Sequence, residues 1–313
     1  MTQQEKLKPR LVVIVGPTGV GKTKWAIRLA GEWGGEIISA DSMQVYRYMD
    51  IGTAKPQREE RSLVKHHLID IVNPDEAFNA SMFVKEAGEI IETLNHRRKP
   101  VFVVGGTGLY IRALLGGLFK GPGADEDLRE FYREEVKLHG KRYLYEKLKV
   151  KDGRAAALIN ENDVIRVIRA LEVMELTGES IVEKQKAHPF GNNLYECIKI
   201  GLMMERDQLY AKIDQRTEKM VEDGFADEVR NLLNMGYDET LKPMQSLGYK
   251  HMADYLHGVY SLPEVIRLIK RDTRRYAKRQ LTWFRADKDV EWFSPQDIDA
   301  IRKRIDRVVS HKS

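Results

Sequence analysis

Residues 11–15 (LVVIV) form an unbroken run of β-branched and aliphatic side chains, the pattern of a strand covered on both faces of a parallel sheet. The run leads into a glycine-rich turn and a helical stretch reaching about Trp33. After Gly34 and Gly35, a second short strand spans 36–40 and ends at Asp41, completing a βαβ unit. The pattern recurs downstream as helical spacing over about 81–96, then Pro100, an apolar strand over 101–104 and the turn Gly105-Gly106-Thr107-Gly108. Strands alternating with helices predict an α/β fold with a doubly wound parallel sheet.

From Gly121-Pro122-Gly123 the texture changes: the next seventy or so residues are highly charged, with helical spacing and little strand signal. The expected organisation is therefore an α/β core, 1–122 plus 191–313, carrying an inserted helical subdomain over 123–190. Residues 194–203 read as a strand returning to the sheet, with Ile198, Ile200 and Leu202 alternating with Lys199 and Gly201. From Glu205 onward the chain is expected to be mainly helical. In 262–285, Val265, Ile266, Ile269, Thr273, Tyr276, Ala277, Gln280, Leu281 and Phe284 recur at three and four residues as a core-facing stripe.

With 313 residues, 42% hydrophobic and 32% charged, the chain can bury a sizeable core, and its composition excludes disordered, collagenous and coiled-coil classes. The polar start over 1–10 and the short apolar run behind it predict neither a signal peptide nor a membrane span. A single cysteine, Cys197, cannot form an internal disulfide, which points to a reducing, cytoplasmic location. Nor do the histidines show metal-ligand spacing, and His66-His67 reads as a surface pair.

The turn after the first strand, Gly16, Pro17, Thr18, Gly19, Val20, Gly21, Lys22 and Thr23, matches G-x-x-x-x-G-K-[ST] in full, between a strand and a helix. Such a loop turns successive backbone N–H groups inward at a helix N-terminus. Lys22 adds a mobile positive charge, and Thr23 can place a hydroxyl on a magnesium ion. A di- or triphosphate site on a P-loop NTPase-like sheet follows. The loop alone leaves open whether the phosphate chain is transferred or leaves.

Asp41, at the end of the second strand, is expected near this loop, as a water-mediated magnesium contact, a general base or a turn cap. Ser42, Met43 and Gln44 follow, and Gln44 has the chemistry to read an adenine edge. The Gly105-Gly106-Thr107-Gly108 turn is explained equally by close packing or by ligand approach. Arg216 fits a pyrophosphate contact or a helix-surface ion pair.

Net charge is +5. It concentrates on the last long helix, where Arg267, Lys270, Arg271, Arg274, Arg275, Lys278, Arg279 and Arg285 oppose the apolar stripe, a one-signed face suited to a phosphate backbone. A smaller cluster, Arg154, Arg166 and Arg169, lies in the insertion. A small-molecule kinase has little use for so much basic surface, and a P-loop RNA-binding NTPase switch is the other alternative.

The P-loop, Asp41-Ser42-Met43-Gln44-Val45-Tyr46, Gly105-Gly106-Thr107-Gly108-Leu109-Tyr110, Asn162-Asp163 through Arg169-Ala170-Leu171-Glu172, Gly248-Tyr249 and Lys278-Arg279-Gln280-Leu281-Thr282-Trp283-Phe284-Arg285 occur in that order from about residue 10 to 295. Together they make the chain similar to the tRNA dimethylallyltransferase (IPP transferase) family, bacterial type, since no zinc-finger extension is seen.

The resemblance implies transfer of a dimethylallyl group from dimethylallyl diphosphate to the exocyclic amine of the adenosine just 3′ of the anticodon, position 37, releasing pyrophosphate. It implies that the loop amides, Lys22, Thr23, Mg2+ and Arg216 neutralise the leaving pyrophosphate, and that Asp41 takes the proton of the attacking amine. It places Asp41, Ser42, Met43, Gln44, Thr107, Ile165, Arg166, Arg169, Gln245, Gly248, Tyr249, Lys250, Lys278, Arg279, Trp283 and Arg285 against the tRNA anticodon stem-loop. The insertion and C-terminal helix are expected to clamp that stem-loop, and a monomer suffices. The one departure is Gly19-Val20, where many members carry small residues such as Ala-Ser.

Overall fold

The computed structural model describes residues 8–118, 121–187 and 194–309. Two compact units are distinguishable, Met1–Leu115 with Asn193–Ser313, and Gly116–Asn192. The expected end of the insertion at residue 190 lies outside the described residues.

The first unit begins β1 (Arg10–Val15), α1 (Lys22–Glu32), β2 (Glu36–Ser39), α2 (Arg58–Leu63), β3 (His66–His67), α3 (Ala80–His96), β4 (Val101–Gly105) and α4 (Gly108–Gly116). The second unit follows with α5 (Glu126–His139), α6 (Lys141–Lys151), α7 (Gly153–Ala156), α8 (Val164–Thr177) and α9 (Ile181–Ala187). The chain then rejoins the sheet through β5 (Glu196–Leu202), α10 (Arg206–Glu222), α11 (Phe225–Asn234), α12 (Tyr249–Leu256), α13 (Leu262–Arg285), β6 (Val290–Phe293) and α14 (Ile298–Val309).

All six strands are parallel, in the order β3-β2-β4-β1-β5-β6. The unbroken apolar runs are explained by burial on both faces. Leu11, Val13 and Val15 pack with α3, α4, α11, α12 and α13, while Val12 and Ile14 pack with α1, α10 and α14. Each such buried aliphatic side chain contributes about 2 kcal/mol. Pairing Val15 with both Gly105 and Gly201, and Ser39 with Val104, aligns the C-terminal ends of β1, β2, β4 and β5. In an open parallel sheet, ligands lie at that edge.

Two edge strands depart from the sequence reading. His66 and His67 are not a surface pair but form β3, where His67 Nε2 meets the buried Glu36 carboxylate at 2.7 Å. The stretch after Glu205 is mainly helical, as expected, and what the sequence did not reveal is the one short strand in it, β6, which pairs with β5. Strands of two and four residues are too short to show a period against their neighbours.

The second unit has its own core around Tyr132, Leu144, Leu148, Val167 and Leu171. Beside that core lies a fully buried carboxylate, Glu172, which accepts from Arg129 Nε at 2.8 Å, Arg169 at 2.5 Å and the Asp125 N–H at 2.8 Å. Arg169 also donates to the Pro122 carbonyl at 2.9 Å. Each arginine of the small basic cluster expected in the insertion therefore has an acidic partner: Arg154 with Glu183, Arg166 with Asp163 and Arg169 with Glu172. Among the described residues no helix is long and apolar enough to cross a membrane.

Burial alone would raise the Glu172 pKa, but the hydrogen bonds from Arg129, Arg169 and the Asp125 N–H outweigh it and hold the pKa below its ordinary value. A depressed folded pKa means that the carboxylate stabilises at neutral pH and loses this contribution as pH falls through the folded value. Glu172→Ala is expected to cost about 3 kcal/mol in a denaturant titration, because two half-buried arginines lose their counter-charge. A cost below about 1 kcal/mol would show that the network is solvated.

Candidate active site

The phosphate loop joins the buried end of β1 to α1. Gly21, at φ 97°, is the helix N-cap in a left-handed conformation that favours glycine. Among the described residues, the backbone N–H groups of Gly21, Lys22 and Thr23 have no acceptor within the protein, as expected where a helix N-terminus awaits an anion. Two cations stand behind this nest. Lys22 Nζ donates to the Pro17 carbonyl at 2.9 Å, and Arg216, from α10, donates to Thr18 Oγ1 at 2.8 Å. Arg216 thus contacts the phosphate loop rather than forming one end of a surface ion pair, and among the described residues its Nε is buried without a partner. Burial lowers both pKa values, that of Lys22 to about 8, with Asp41 pulling up and Arg216 pushing further down.

Asp41 faces this pair from the end of β2. Its Oδ1 accepts the Met43 N–H at 2.9 Å and the Gln44 N–H at 3.4 Å, so one carboxylate oxygen does cap a turn. Asp41 also acts on tyrosines from two helices. Burial first, then the Asp41 charge, pushes Tyr276 of α13 up to about 12. Tyr110 of α4 is raised by burial and then by Tyr46 and Asp41. Asp41 therefore sits amid two cations and two protonated phenols, close enough for its charge to register on each.

The second glycine turn is a packing device. A side chain at Gly106 would strike Gln280 and one at Gly108 would strike Trp283, both of α13. Gln280 explains the closeness: its Nε2 donates to the Gly106 carbonyl at 3.0 Å, and its Oε1 accepts the Thr18 N–H at 2.7 Å. One buried amide thus ties the phosphate loop to the end of β4. Thr107 continues the link, accepting the Ser42 N–H on Oγ1 at 3.0 Å. Tyr276 was visible in the sequence only as a member of a stripe, and Gln280 as a member of that stripe and of the Lys278–Arg285 motif, without its role in the loop. The signal was their polarity at core-facing positions, since a buried polar side chain needs a partner.

Other expected residues fall elsewhere. Gln44 has its amide engaged within the protein, with Ser39 Oγ at 3.0 Å and the Thr53 and Ala54 carbonyls at 3.4 and 3.3 Å, so reading a base edge would break these contacts. Tyr249 is a correction: it is 1% exposed, edge-on to Phe225, and its hydroxyl donates to Glu228 at 2.6 Å, so it cannot meet a macromolecule from there. Gly248 is buried beside it, while Gln245 and Lys250 are exposed. In the second unit Ile165 and Arg166 are exposed, and Arg169 is held by Glu172.

Along α13 the basic face divides. Arg267, Lys270, Arg271, Arg274 and Arg275 are paired with Glu264, Glu218, Asp272, Asp214 and Asp272. Among the described residues, Lys278, Arg279 and Arg285 have no carboxylate partner. These unneutralised cations share the helix end with Gln280 and with the half-exposed Trp283, over which Arg112 lies at 5.5 Å.

A family model described as IPP transferase matches residues 44–287. The chain is 58% identical over 294 residues to "tRNA dimethylallyltransferase 2" of Syntrophus aciditrophicus, covering 94% of each protein. It is 47% identical over 302 residues to the "tRNA dimethylallyltransferase" of Geobacter sulfurreducens, covering 96% of this chain and 97% of that one. Among solved structures it is similar to the tRNA isopentenylpyrophosphate transferase of Bacillus halodurans, with 44% identity, TM-score 0.72 and 97% of each chain covered. It is also similar to a eukaryotic dimethylallyltransferase described as acting on tRNA, with 27% identity, TM-score 0.75, and 96% of this chain and 76% of that one covered.

The lowered Lys22 pKa sets a pH limit on anion binding. The charged form binds, so affinity for inorganic pyrophosphate, measured calorimetrically, should fall above pH about 8 relative to a Lys22→Met variant, which carries the ligand's own titration. Parallel profiles for the two proteins would mean that another group titrates.

Proposed function

Since the chain belongs to the IPP transferase family, we propose that its reaction is transfer of a dimethylallyl group from dimethylallyl diphosphate to the exocyclic N6 amine of adenosine 37, beside the tRNA anticodon. The observation that carries this reading is a carboxylate, Asp41, set against an anion nest backed by two half-buried cations, Lys22 and Arg216.

In the proposed chemistry the N6–C1 bond forms, the bond from C1 to the diphosphate oxygen breaks, the N6 proton passes to Asp41, and pyrophosphate leaves. The amides of 21–23, with Lys22 and Arg216, stabilise charge where it grows, on the departing oxygens. Asp41 both orients and deprotonates a weakly nucleophilic amine. The Thr23 hydroxyl makes no hydrogen bond within the protein among the described residues, which suits it to be the protein oxygen of a mostly hydrated Mg2+. When bound, that ion would supply further charge for the leaving group.

Lys278, Arg279 and Arg285, the unneutralised end of α13, are the proposed contacts for the RNA backbone. The target base has to leave its stack, and the half-exposed Trp283 offers a surface for it. Ser42, Met43, Thr107, Gln245, Lys250, Ile165 and Arg166 complete the proposed acceptor contacts, with the enzyme acting as a cytoplasmic monomer.

The decisive experiment incubates the full chain with labelled dimethylallyl diphosphate and an anticodon stem-loop RNA. Label in RNA with release of pyrophosphate is expected, whereas nucleoside triphosphate hydrolysis without alkylated RNA would overturn the reading. Asp41→Asn should slow turnover by roughly a hundredfold or more while donor and RNA binding persist. A separate measurement addresses the helix. Lys278→Ala with Arg279→Ala should reduce the steepness of the salt dependence of RNA binding by roughly one to two log units per decade of salt. An unchanged slope would move the RNA elsewhere.

A further inference from the structure

The segment from Asp41 to Ala54 is irregular chain that holds an unfavourable shape. Tyr48 and Ala54 have φ 66° and 51°, left-handed values unusual for residues with a side chain. Such a shape persists only where its surroundings impose it, and here one side chain does much of that. The Glu228 carboxylate, on α11, accepts three successive backbone N–H groups, those of Asp50 at 2.8 Å, Ile51 at 2.7 Å and Gly52 at 3.0 Å, and also the Tyr249 hydroxyl. Gly52 lies so close to the Phe225 and Tyr249 rings that any side chain there would collide with them.

The clamped turn reaches the site by hydrogen bonds. Ala54 N–H donates to the Ile51 carbonyl at 3.0 Å, and the Thr53 and Ala54 carbonyls accept Gln44 Nε2. Gln44 in turn donates its backbone N–H to Asp41 Oδ1. From the other side, Lys55 holds the Tyr46 carbonyl and Asp50. We propose that Glu228 is a positioning residue of the site: it seats the 50–54 turn, which through Gln44 sets the placement of Asp41. The inference rests on the proposed reading of Asp41 as the proton acceptor.

The test measures single-turnover prenyl transfer to the stem-loop RNA, with pyrophosphate affinity measured in parallel, on the full chain. Glu228→Gln keeps the shape of the side chain but turns one acceptor oxygen into a donor facing backbone N–H groups. It is expected to slow transfer roughly tenfold while pyrophosphate affinity stays within about twofold, since Gln280 anchors the phosphate loop independently. The double variant with Asp41→Asn is expected to be no slower than Asp41→Asn alone, as for groups acting in one chain. Leu232→Ala, a core truncation on the same helix, is the folding control and should transfer at nearly the normal rate at a temperature where it is fully folded. Gly52→Ala, which lifts the turn off the rings, should repeat the Glu228→Gln pattern and serves if that variant does not fold.

A normal rate in folded Glu228→Gln, losses that multiply in the double variant, or an equal loss in Leu232→Ala would each overturn the proposal. An impaired Asp41→Asn beside a fully active Glu228→Gln fails the positioning inference alone. A fully active Asp41→Asn fails the base reading itself.

Discussion

Holding Lys22 and Arg216 half-buried and close to one another is the costly act around which the site is built. Neither cation has a full counter-charge in the protein: Lys22 rests on a carbonyl, Arg216 on a hydroxyl, and Asp41 compensates both only in part. A charge partly removed from water without a full counter-charge is unfavourable. The lowered Lys22 pKa records that cost, and an anion on the adjacent amides relieves it. Binding energy for a diphosphate is thus stored in the fold before any ligand arrives, and the same charges oppose the negative charge that grows as the diphosphate leaves.

That arrangement needs rigid walls, and they come from distant parts of the chain. Gln280 reaches from α13 to both the phosphate loop and the end of β4, a span of more than 170 residues in sequence closed by one amide. Arg216 comes from α10 and Asp41 from the segment that follows β2. Because α13 buries Val265, Ile269, Ala277 and Phe284 in the core, its polar members are carried to fixed places. The cations at its end that have no carboxylate partner among the described residues stand at the same end of the helix as Gln280, so electrostatic attraction and chemistry share one support. The five other cations of that face are paired with carboxylates, Arg271 and Arg275 sharing Asp272.

The central βαβ unit, the phosphate loop and the long C-terminal helix were legible because each has a strong local signal: an unbroken apolar run, glycines at fixed spacing, a stripe of period 3.6. The edge strands β3 and β6 were not, since so few residues carry no period. Tyr249 and Arg169 show the limit at the level of single residues. Both lie in motifs of the resemblance, yet one is sealed in the core by Phe225 and Glu228 and the other is held by a buried carboxylate. Type and spacing reveal neither burial nor partner.

By itself the sequence determined that this chain carries a phosphate cradle on a parallel sheet, a carboxylate at the end of the second strand and an excess of positive charge on one helix. These properties follow from neighbouring residues and the periods of helix and strand. Only the tertiary structure decided which charges remain unneutralised, that Arg216 belongs to the cradle, and that Gln280, Tyr276 and Glu228 surround or brace it. Those outcomes depend on contacts between residues far apart in the chain, where desolvation and the presence or absence of a partner set the energy of every polar group.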